Sequence, residues 1–182
     1  AGCYVTGGLA GISATAEEIY RRTYPRVAHK NALHVARYPQ DRAILDRIAD
    51  RLAQGDVRLP DGDLLSVRRF QHLGMELGMA GGSETIHWLL EEAFADDGEL
   101  TDHFLGQVQD RTAYHGNPLF AAIHEAIYAQ NGHPTDWAAE RVLAQFPAFA
   151  ASVRPLLLTG ETIHPFLRSE ERRVGKECRS RW

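Results

Sequence analysis

Apolar residues recur with the period of an α-helix along most of this sequence. A spacing of three and four residues places such side chains on one face of a helix, where they can pack against a core. Two stripes of this kind are the clearest: Ile44, Leu45, Ile48 and Leu52, and then Ile86, Leu89, Leu90, Ala93 and Phe94. The pattern predicts a mainly helical protein.

Capping residues and prolines predict where the helices begin. Thr15 and Glu18 have the spacing of a capping box, which predicts a helix running towards Tyr38 that Pro25 could kink or divide. Pro39 predicts the start of the second helix. Four further helices are expected: Ser66 to Leu77, one ending at Asp96-Asp97-Gly98, one capped by Thr101, and one from Asn117-Pro118 to Gln130. Thr135 predicts the cap of a last helix that ends near Pro147.

Three short segments have the composition of extended chain. Pro60-Asp61-Gly62 lies between two such pieces within 57–65 and predicts a small hairpin. Cys3 to Thr6 is β-branched and aromatic and predicts a buried strand, while Pro155 to Thr159 is expected to be extended. Since one strand cannot form a sheet alone, the helical region is predicted to be an insertion in a larger α/β domain.

Residues 168–182 differ from the rest of the chain. Apolar periodicity stops there, and six basic and three acidic residues surround Gly175. The segment reads like the in-frame translation of a common DNA-sequencing adapter, so we interpret it as an artefactual tail and exclude it from fold reasoning. The natural sequence is then expected to continue beyond Leu167 in the parent protein.

Composition narrows the classes of function. The net charge is −4, and the acids and bases are intermixed outside the tail, which predicts no nucleic-acid partner. No run of 18 apolar residues occurs, so no membrane span is expected. With only two cysteines, Cys3 and Cys178, a reducing cytoplasmic location is the simpler expectation.

Motifs for nucleophilic and metal catalysis are incomplete. A Gly-x-Ser-x-Gly elbow does not occur, and Ser13 and Ser83 are interpreted as residues at helix entries. His124-Glu125 begins like a zinc motif, but the fifth position is Tyr128 and the second imidazole is missing. We therefore predict no metal, no cofactor and no catalytic residue, and interpret the nine histidines as scattered surface or packing residues.

Glu125 has an unusual position in its predicted helix. Phe120, Ile123 and Ile127 would form one apolar face, and Glu125 would lie opposite among small residues, with Tyr128 within reach. A partly buried carboxylate needs a cation, which a protein side chain or a substrate ammonium could supply. The spacing leaves both a structural role and a substrate-binding role open.

Several segments resemble, in order and spacing, the proline iminopeptidase (prolyl aminopeptidase) family of α/β-hydrolases. The matching segments cover residues 3–167: Tyr4-Val5-Thr6-Gly7-Gly8-Leu9, Glu18-Ile19-Tyr20, Thr23-Tyr24-Pro25-Arg26-Val27, Asp56-Val57-Arg58-Leu59-Pro60, Leu89-Leu90-Glu91-Glu92-Ala93-Phe94, Gln107-Val108-Gln109, His124-Glu125-x-Ile127-Tyr128, Trp137-Ala138-Ala139-Glu140-Arg141-Val142 and Thr159-Gly160-Glu161-x-Ile163.

The resemblance implies a serine peptidase that releases N-terminal proline from peptides. It implies a core strand at 1–11, a helical cap (lid) at 12–154 and a return segment at 155–167, with the catalytic triad outside this chain and the fragment inactive. Glu125, Tyr128 and, more weakly, Glu161 would bind the free α-amino group of the substrate. The cap of another α/β-hydrolase (esterase- or lipase-like) and a non-enzymatic helical interaction domain are the alternatives.

Overall fold

The structure is a computed structural model that describes Gly2, residues 13–114, 116–129, Gly132 and residues 134–167. The predicted strand Cys3 to Thr6 and the tail 168–182 lie outside the described residues. Within them the chain is mainly helical, as predicted, with three short 3₁₀ helices at His72–Gly78, Glu125–Tyr128 and Pro147–Phe149. The α-helices are α1 (Ala16–Arg37), α2 (Asp41–Leu52), α3 (Val67–Gln71), α4 (Gly82–Glu91), α5 (Asp102–Thr112), α6 (Pro118–Ile123) and α7 (Ala138–Leu143).

The capping signals confirm most of the predicted helix starts. The Thr15 hydroxyl accepts a hydrogen bond from the Glu18 N–H at 3.2 Å, and the Glu18 carboxylate accepts one from the Thr15 N–H at 2.8 Å. Each satisfies a donor that the first helical turn would otherwise leave unpaired. The Ser66 and Thr101 hydroxyls cap α3 and α5 by accepting hydrogen bonds from the N–H groups of Arg69 and Phe104, and α1 continues through Pro25.

Two predictions about the last helices are wrong. The helix expected from Pro118 to Gln130 ends at Ile123 and continues as a 3₁₀ turn, Glu125–Tyr128. Thr135 does not cap the final helix, because Asp136 and Trp137 adopt positive φ angles of 49° and 55° and regular helix begins only at Ala138. Left-handed backbone cannot be continued into a right-handed helix.

The predicted apolar stripes form the larger of two cores. Leu45, Ile48 and Leu52 of α2 pack with Ile86, Leu89 and Leu90 of α4, and all six are buried. The predicted hairpin is confirmed by an antiparallel bridge between Arg58 and Leu64 that closes one side of this core. A similar bridge between Phe94 and Leu100 was not predicted from the sequence.

The second core joins α1 to α7. Tyr20 and Tyr24 of α1 are buried there. They pack against Phe149 and against three residues of α7: Ala138, Ala139 and Val142. Because α1 is the longest helix and contacts both α7 and the 3₁₀ helix His72–Gly78, it links the two halves of the fold.

The return segment, 155–167, passes between α1 and the 3₁₀ helix His72–Gly78. The Asn31 side chain donates to the Leu158 carbonyl and accepts from the Leu158 N–H, both at 2.9 Å. A Cβ atom on Gly74 would lie 1.8 Å from the Thr159 carbonyl oxygen, so only glycine permits this approach. These contacts fix the position of Glu161, two residues further along. No helix among the described residues is long and apolar enough to cross a bilayer.

Candidate functional site

Glu125, Tyr128 and Glu161 lie around one buried imidazole, that of His124. Glu125 and Tyr128 belong to the 3₁₀ turn that follows α6, and Glu161 belongs to the return segment. The His124 Nε2 atom is 3.7 Å from the nearer Glu161 carboxylate oxygen. Only 5% of the His124 side chain is exposed, compared with 57% for Glu161. The fold therefore places an accessible carboxylate beside a buried imidazole.

Glu125 is buried and caps α7. Its two carboxylate oxygens accept hydrogen bonds from the N–H groups of Ala138 and Ala139 at 3.0 and 3.3 Å. These are the first two residues of α7, whose start has no side-chain cap from Trp137. Each oxygen keeps a second lone pair, so the carboxylate can both anchor the helix and accept a further bond. The structural role left open by the sequence is thus a helix cap.

Glu125 lies on a different side of this region from Ile123 and Ile127, as the spacing predicted, and the apolar side is the exposed one. Ile123 and Ile127 are 53% and 58% exposed, and Leu119 is 67% exposed, whereas Glu125 is buried. Glu125 faces inward because its carboxylate is hydrogen-bonded to the start of α7. We call Leu119, Ile123 and Ile127 the α6 apolar face.

Aromatic rings form a continuous wall beside the two carboxylates. Along this wall the centroid distances are 5.4 Å from Tyr114 to Phe120, 4.6 Å from Phe120 to His124 and 5.9 Å from His124 to Tyr128. Tyr128 then packs edge-on against Tyr20 of α1 at 5.8 Å. Aromatic faces attract cations, and a carboxylate next to them adds to that attraction. We call these five rings with Glu125 and Glu161 the acidic aromatic corner.

Two polar atoms of this corner are buried without a hydrogen-bond partner among the described residues. They are the Tyr20 hydroxyl and the His124 Nε2 atom, on side chains that are 1% and 5% exposed. A buried polar group without a partner costs about 1–3 kcal/mol. Such groups are rare in folded proteins and are typical of sites that bind a ligand or water.

The electrostatics of the corner favour a positive charge. Burial lowers the pKa of His124, and the carboxylates of Glu161 and Glu125 partly oppose this shift. Burial also raises the pKa of Tyr20, with further increases from Glu125 and Glu161, and it raises the pKa of Tyr128, with a further increase from Glu161. The phenols therefore stay neutral, and the negative potential comes from the two glutamates.

His72 and Tyr114 extend the wall into the protein. The His72 Nε2 atom is hydrogen-bonded to the Tyr114 hydroxyl, which lies 3.2 Å from the Met75 sulfur. Burial lowers the pKa of His72 to about 3, so the imidazole is neutral. Sequence reasoning missed Tyr20, His72 and Tyr114, because nothing in the local spacing indicates their long-range contacts. For His124, the adjoining Glu125 and the Tyr128 one turn later were an available signal.

Several histidines are part of buried networks rather than scattered packing residues. Asp41, which is fully buried, lies 3.0 Å from His34 Nε2 and 2.9 Å from His87 Nδ1. Ser83 Oγ is 2.7 Å from His34 Nδ1, so a serine, a histidine and an aspartate are linked in a row by short contacts. Ser83, however, is the second residue of the regular helix α4 and not on the strained strand-to-helix turn that exposes a hydrolase nucleophile. The predicted helix-entry position of Ser83 is confirmed.

A second network joins α3, α7 and the return segment. His164 Nδ1 lies 2.7 Å from a Glu140 oxygen, its Nε2 lies 3.0 Å from the Thr162 hydroxyl, and Arg68 bonds to the same Glu140 oxygen at 2.5 Å. The bond from His164, followed by that from Arg68, lowers the pKa of Glu140 to about 2. Among the described residues no three His, Cys, Asp or Glu side chains are grouped so that they could hold a metal ion.

Comparison with known proteins gives two clear relatives. No family model matches the chain. The chain is 46% identical over 165 residues to a proline iminopeptidase from Aeromonas sobria, and this match covers 90% of this chain and 38% of the relative. It is 27% identical over 165 residues to proline iminopeptidase aneH from Aspergillus aculeatus, and this match covers 88% of this chain and 36% of the relative. The chain thus spans little more than a third of either protein, and the resemblance to this family is confirmed for that part.

Proposed function

We propose that this chain is part of a serine aminopeptidase of the proline iminopeptidase type, which releases N-terminal proline from peptides. The observation that carries the proposal is the acidic aromatic corner, because five rings, one of them a buried imidazole, and two carboxylates suit a cationic amino terminus. The names of the two relatives, which both specify proline iminopeptidase, support the same substrate class.

The corner would hold the ammonium of the terminal proline between its rings and its carboxylates. Glu161 would supply the accessible carboxylate, while Glu125, already bonded to the start of α7, would contribute a fixed negative charge. Tyr128 would pack against the proline ring. A charge-assisted contact of this kind is about twice as strong as a neutral hydrogen bond, and a blocked amino terminus cannot form it.

The helical region is proposed to be the cap of an α/β-hydrolase domain. This assigns residues 1–11 to a core strand, 12–154 to the cap, 155–167 to the return segment and 168–182 to the artefactual tail. The α6 apolar face, with three side chains more than half exposed, supports the assignment because it offers a surface for the catalytic domain to cover.

Catalysis would come from residues outside this chain. A serine would attack the carbonyl carbon of proline, with a histidine as general base and backbone N–H groups stabilising the oxyanion. The corner would place the scissile bond by binding the terminal ammonium, and the chain alone would be inactive. The cytoplasmic location expected from the two cysteines stays a prediction.

The test uses the longer protein that carries this chain, with L-proline β-naphthylamide and its N-acetyl derivative as substrates. Only the free amine should be hydrolysed, and Glu161→Gln should lower kcat/KM about 100-fold, close to 3 kcal/mol for one lost charged contact. Glu92→Gln is the matched control, since Glu92 pairs with His103 at 3.0 Å on the exposed surface. Equal hydrolysis of the acetylated substrate, or an unchanged Glu161→Gln variant, would overturn the proposal.

A further inference from the structure

A cavity adjoins the acidic aromatic corner and shares Glu161 with it. Its volume is about 420 Å³, and one wall is a face of α1 that carries Thr23, Arg26, Val27 and Lys30. The opposite wall comes from the 3₁₀ helix His72–Gly78 and the residue after it. Cavities that bind small molecules typically have volumes of about 300–1,000 Å³. This one is large enough for a short peptide but not for a long chain.

Two cations that line this cavity have no ion-pair partner within the described part of the chain. Among the described residues, no carboxylate oxygen lies within 4.0 Å of Arg26 or Lys30. Two other arginines of the same helix do have such partners: Arg21 pairs with Glu17 at 2.9 Å, and Arg37 pairs with Glu84 at 2.6 Å. The cavity therefore has one acid, Glu161, and two cations that remain free to bind an anion.

Glu161, Arg26 and Lys30 line the same cavity, so it offers charges of both signs to a short zwitterion. A Cβ atom on Gly160 would lie 2.4 Å from the Val27 Cγ2 atom, so the return segment touches α1 at Val27, next to Arg26. Lys30 lies about 6 Å beyond Arg26 along the helix axis, at 1.5 Å per residue. An extended dipeptide or tripeptide spans about 7–11 Å. A peptide whose amino terminus lies at Glu161 can thus reach either cation with its carboxyl terminus.

We propose that Arg26 and Lys30 bind the C-terminal carboxylate of the substrate and so favour dipeptides and tripeptides with a free carboxyl end. This inference rests on the proposed function for the position of the amino terminus. Apolar side chains of the cavity, Val27 and Met75 among them, would contact the residues after proline. A longer peptide or an amidated one would lose the charged contact and would leave both cations solvated.

The experiment titrates the 182-residue chain with prolyl-alanine, prolyl-alaninamide and N-acetyl-prolyl-alanine by isothermal calorimetry. Prolyl-alanine should bind about two to five times more tightly than the amide, as expected for partly exposed charge pairs. The double variant Arg26→Gln/Lys30→Gln should remove that preference and leave the affinity for the amide unchanged. Arg22→Gln/Arg42→Gln, which removes the same charge from exposed residues outside the cavity lining, should retain it.

The three peptides separate this inference from the proposed function. If N-acetyl-prolyl-alanine binds in an Arg26- and Lys30-dependent way while the amide does not bind, the carboxylate site stands and amine recognition fails. Equal affinity for prolyl-alanine and its amide overturns the carboxylate site. So does a preference that survives in the Arg26→Gln/Lys30→Gln variant, or the absence of binding by both peptides with a free carboxylate.

Discussion

Two histidine–glutamate pairs of this protein differ in how many hydrogen bonds their side chains make. His164 bonds to Glu140 at 2.7 Å and to Thr162 at 3.0 Å, and Glu140 also bonds to Arg68. His124, equally buried, has its Nε2 atom 3.7 Å from Glu161, beyond hydrogen-bonding distance, and Glu161 is mostly exposed. A network whose groups are all paired stabilises the fold. A similar pair with spare bonding capacity is suited to a ligand, and this difference distinguishes the two sites.

The largest expected effect separates the two histidines directly. His164→Gln should lower the free energy of unfolding by about 1.5–3 kcal/mol, because it removes a bond to a charged partner. His124→Gln should cost less than about 1 kcal/mol, since its Nε2 atom makes no short bond among the described residues. Urea denaturation of both variants measures the two values. Equal losses would mean that His124 is as firmly bonded as His164.

Acid should destabilise the protein through its buried neutral histidines. Burial lowers the pKa of His72 to about 3, so the folded state binds no proton there while the unfolded chain binds one below about pH 6.5. The stabilising contribution is complete above pH 6.5 and declines as the pH falls towards 3. The free energy of unfolding that is lost in this way between pH 7 and pH 5 is about 2 kcal/mol.

The pH dependence can be assigned with two variants. His72→Gln should reduce the slope of unfolding free energy between pH 6 and 5 by about 1.4 kcal/mol per pH unit. Ile123→Ser, at an exposed residue without a titratable group, should keep the slope of the parent chain. Denaturant titrations at four pH values give the slopes. An unchanged slope in His72→Gln would show that His72 becomes protonated in the folded state.

Tyr20 and Tyr24 lie one turn apart on α1 and differ in the same way, in whether the side chain has a hydrogen-bond partner. The Tyr24 hydroxyl donates to the Ala139 carbonyl at 2.9 Å, whereas the Tyr20 hydroxyl has no partner among the described residues. Tyr24→Phe should therefore cost about 1 kcal/mol, and Tyr20→Phe should be neutral or slightly stabilising. Thermal unfolding distinguishes them by about 2–4 °C. A Tyr20→Phe variant as destabilised as Tyr24→Phe would indicate a hidden partner for Tyr20.

The smallest effect concerns the α6 apolar face. Ile123→Ser and Ile127→Ser should change the stability of this chain by no more than about 0.5 kcal/mol, because both side chains are exposed. The same changes should destabilise the longer protein more, if a catalytic domain covers this face. Ile48→Ala, in the core, should cost about 2–5 kcal/mol in both proteins. Equal effects of the Ile123 and Ile127 variants in the two proteins would argue against the cap assignment.

The sequence predicted the local features of this fold better than its tertiary ones. Thr15 with Glu18, and the stripe Leu45, Ile48 and Leu52, depend on neighbours within a few residues, and the structure confirms both. The helix through Glu125 failed because a buried contact with the start of α7, 13 residues later, competes with helix propensity. Hydrophobic periodicity cannot register such a contact.

The candidate site was predictable only in part. Helical spacing singled out Glu125 and Tyr128, the family resemblance added Glu161 and implied a substrate-binding role, and the fold places all three around His124. Tyr20 and Arg26 could not be predicted as part of a site, since on α1 they look like ordinary helix residues. Arg26 joins a site only because the return segment packs on α1, through the bonds of Asn31 to Leu158 and the close contact of Gly160 with Val27.

The most direct measurement of the central claim is the NMR signal of the His124 ring in this chain during titration with L-prolinamide. The signal should shift saturably, the His164 ring signal should stay constant as an internal reference, and N-acetyl-L-prolinamide should have no effect. Glu161→Gln should abolish the shift. A His124 signal that ignores L-prolinamide, or that moves equally with the acetylated compound, would contradict the assignment of this corner to a peptide amino terminus.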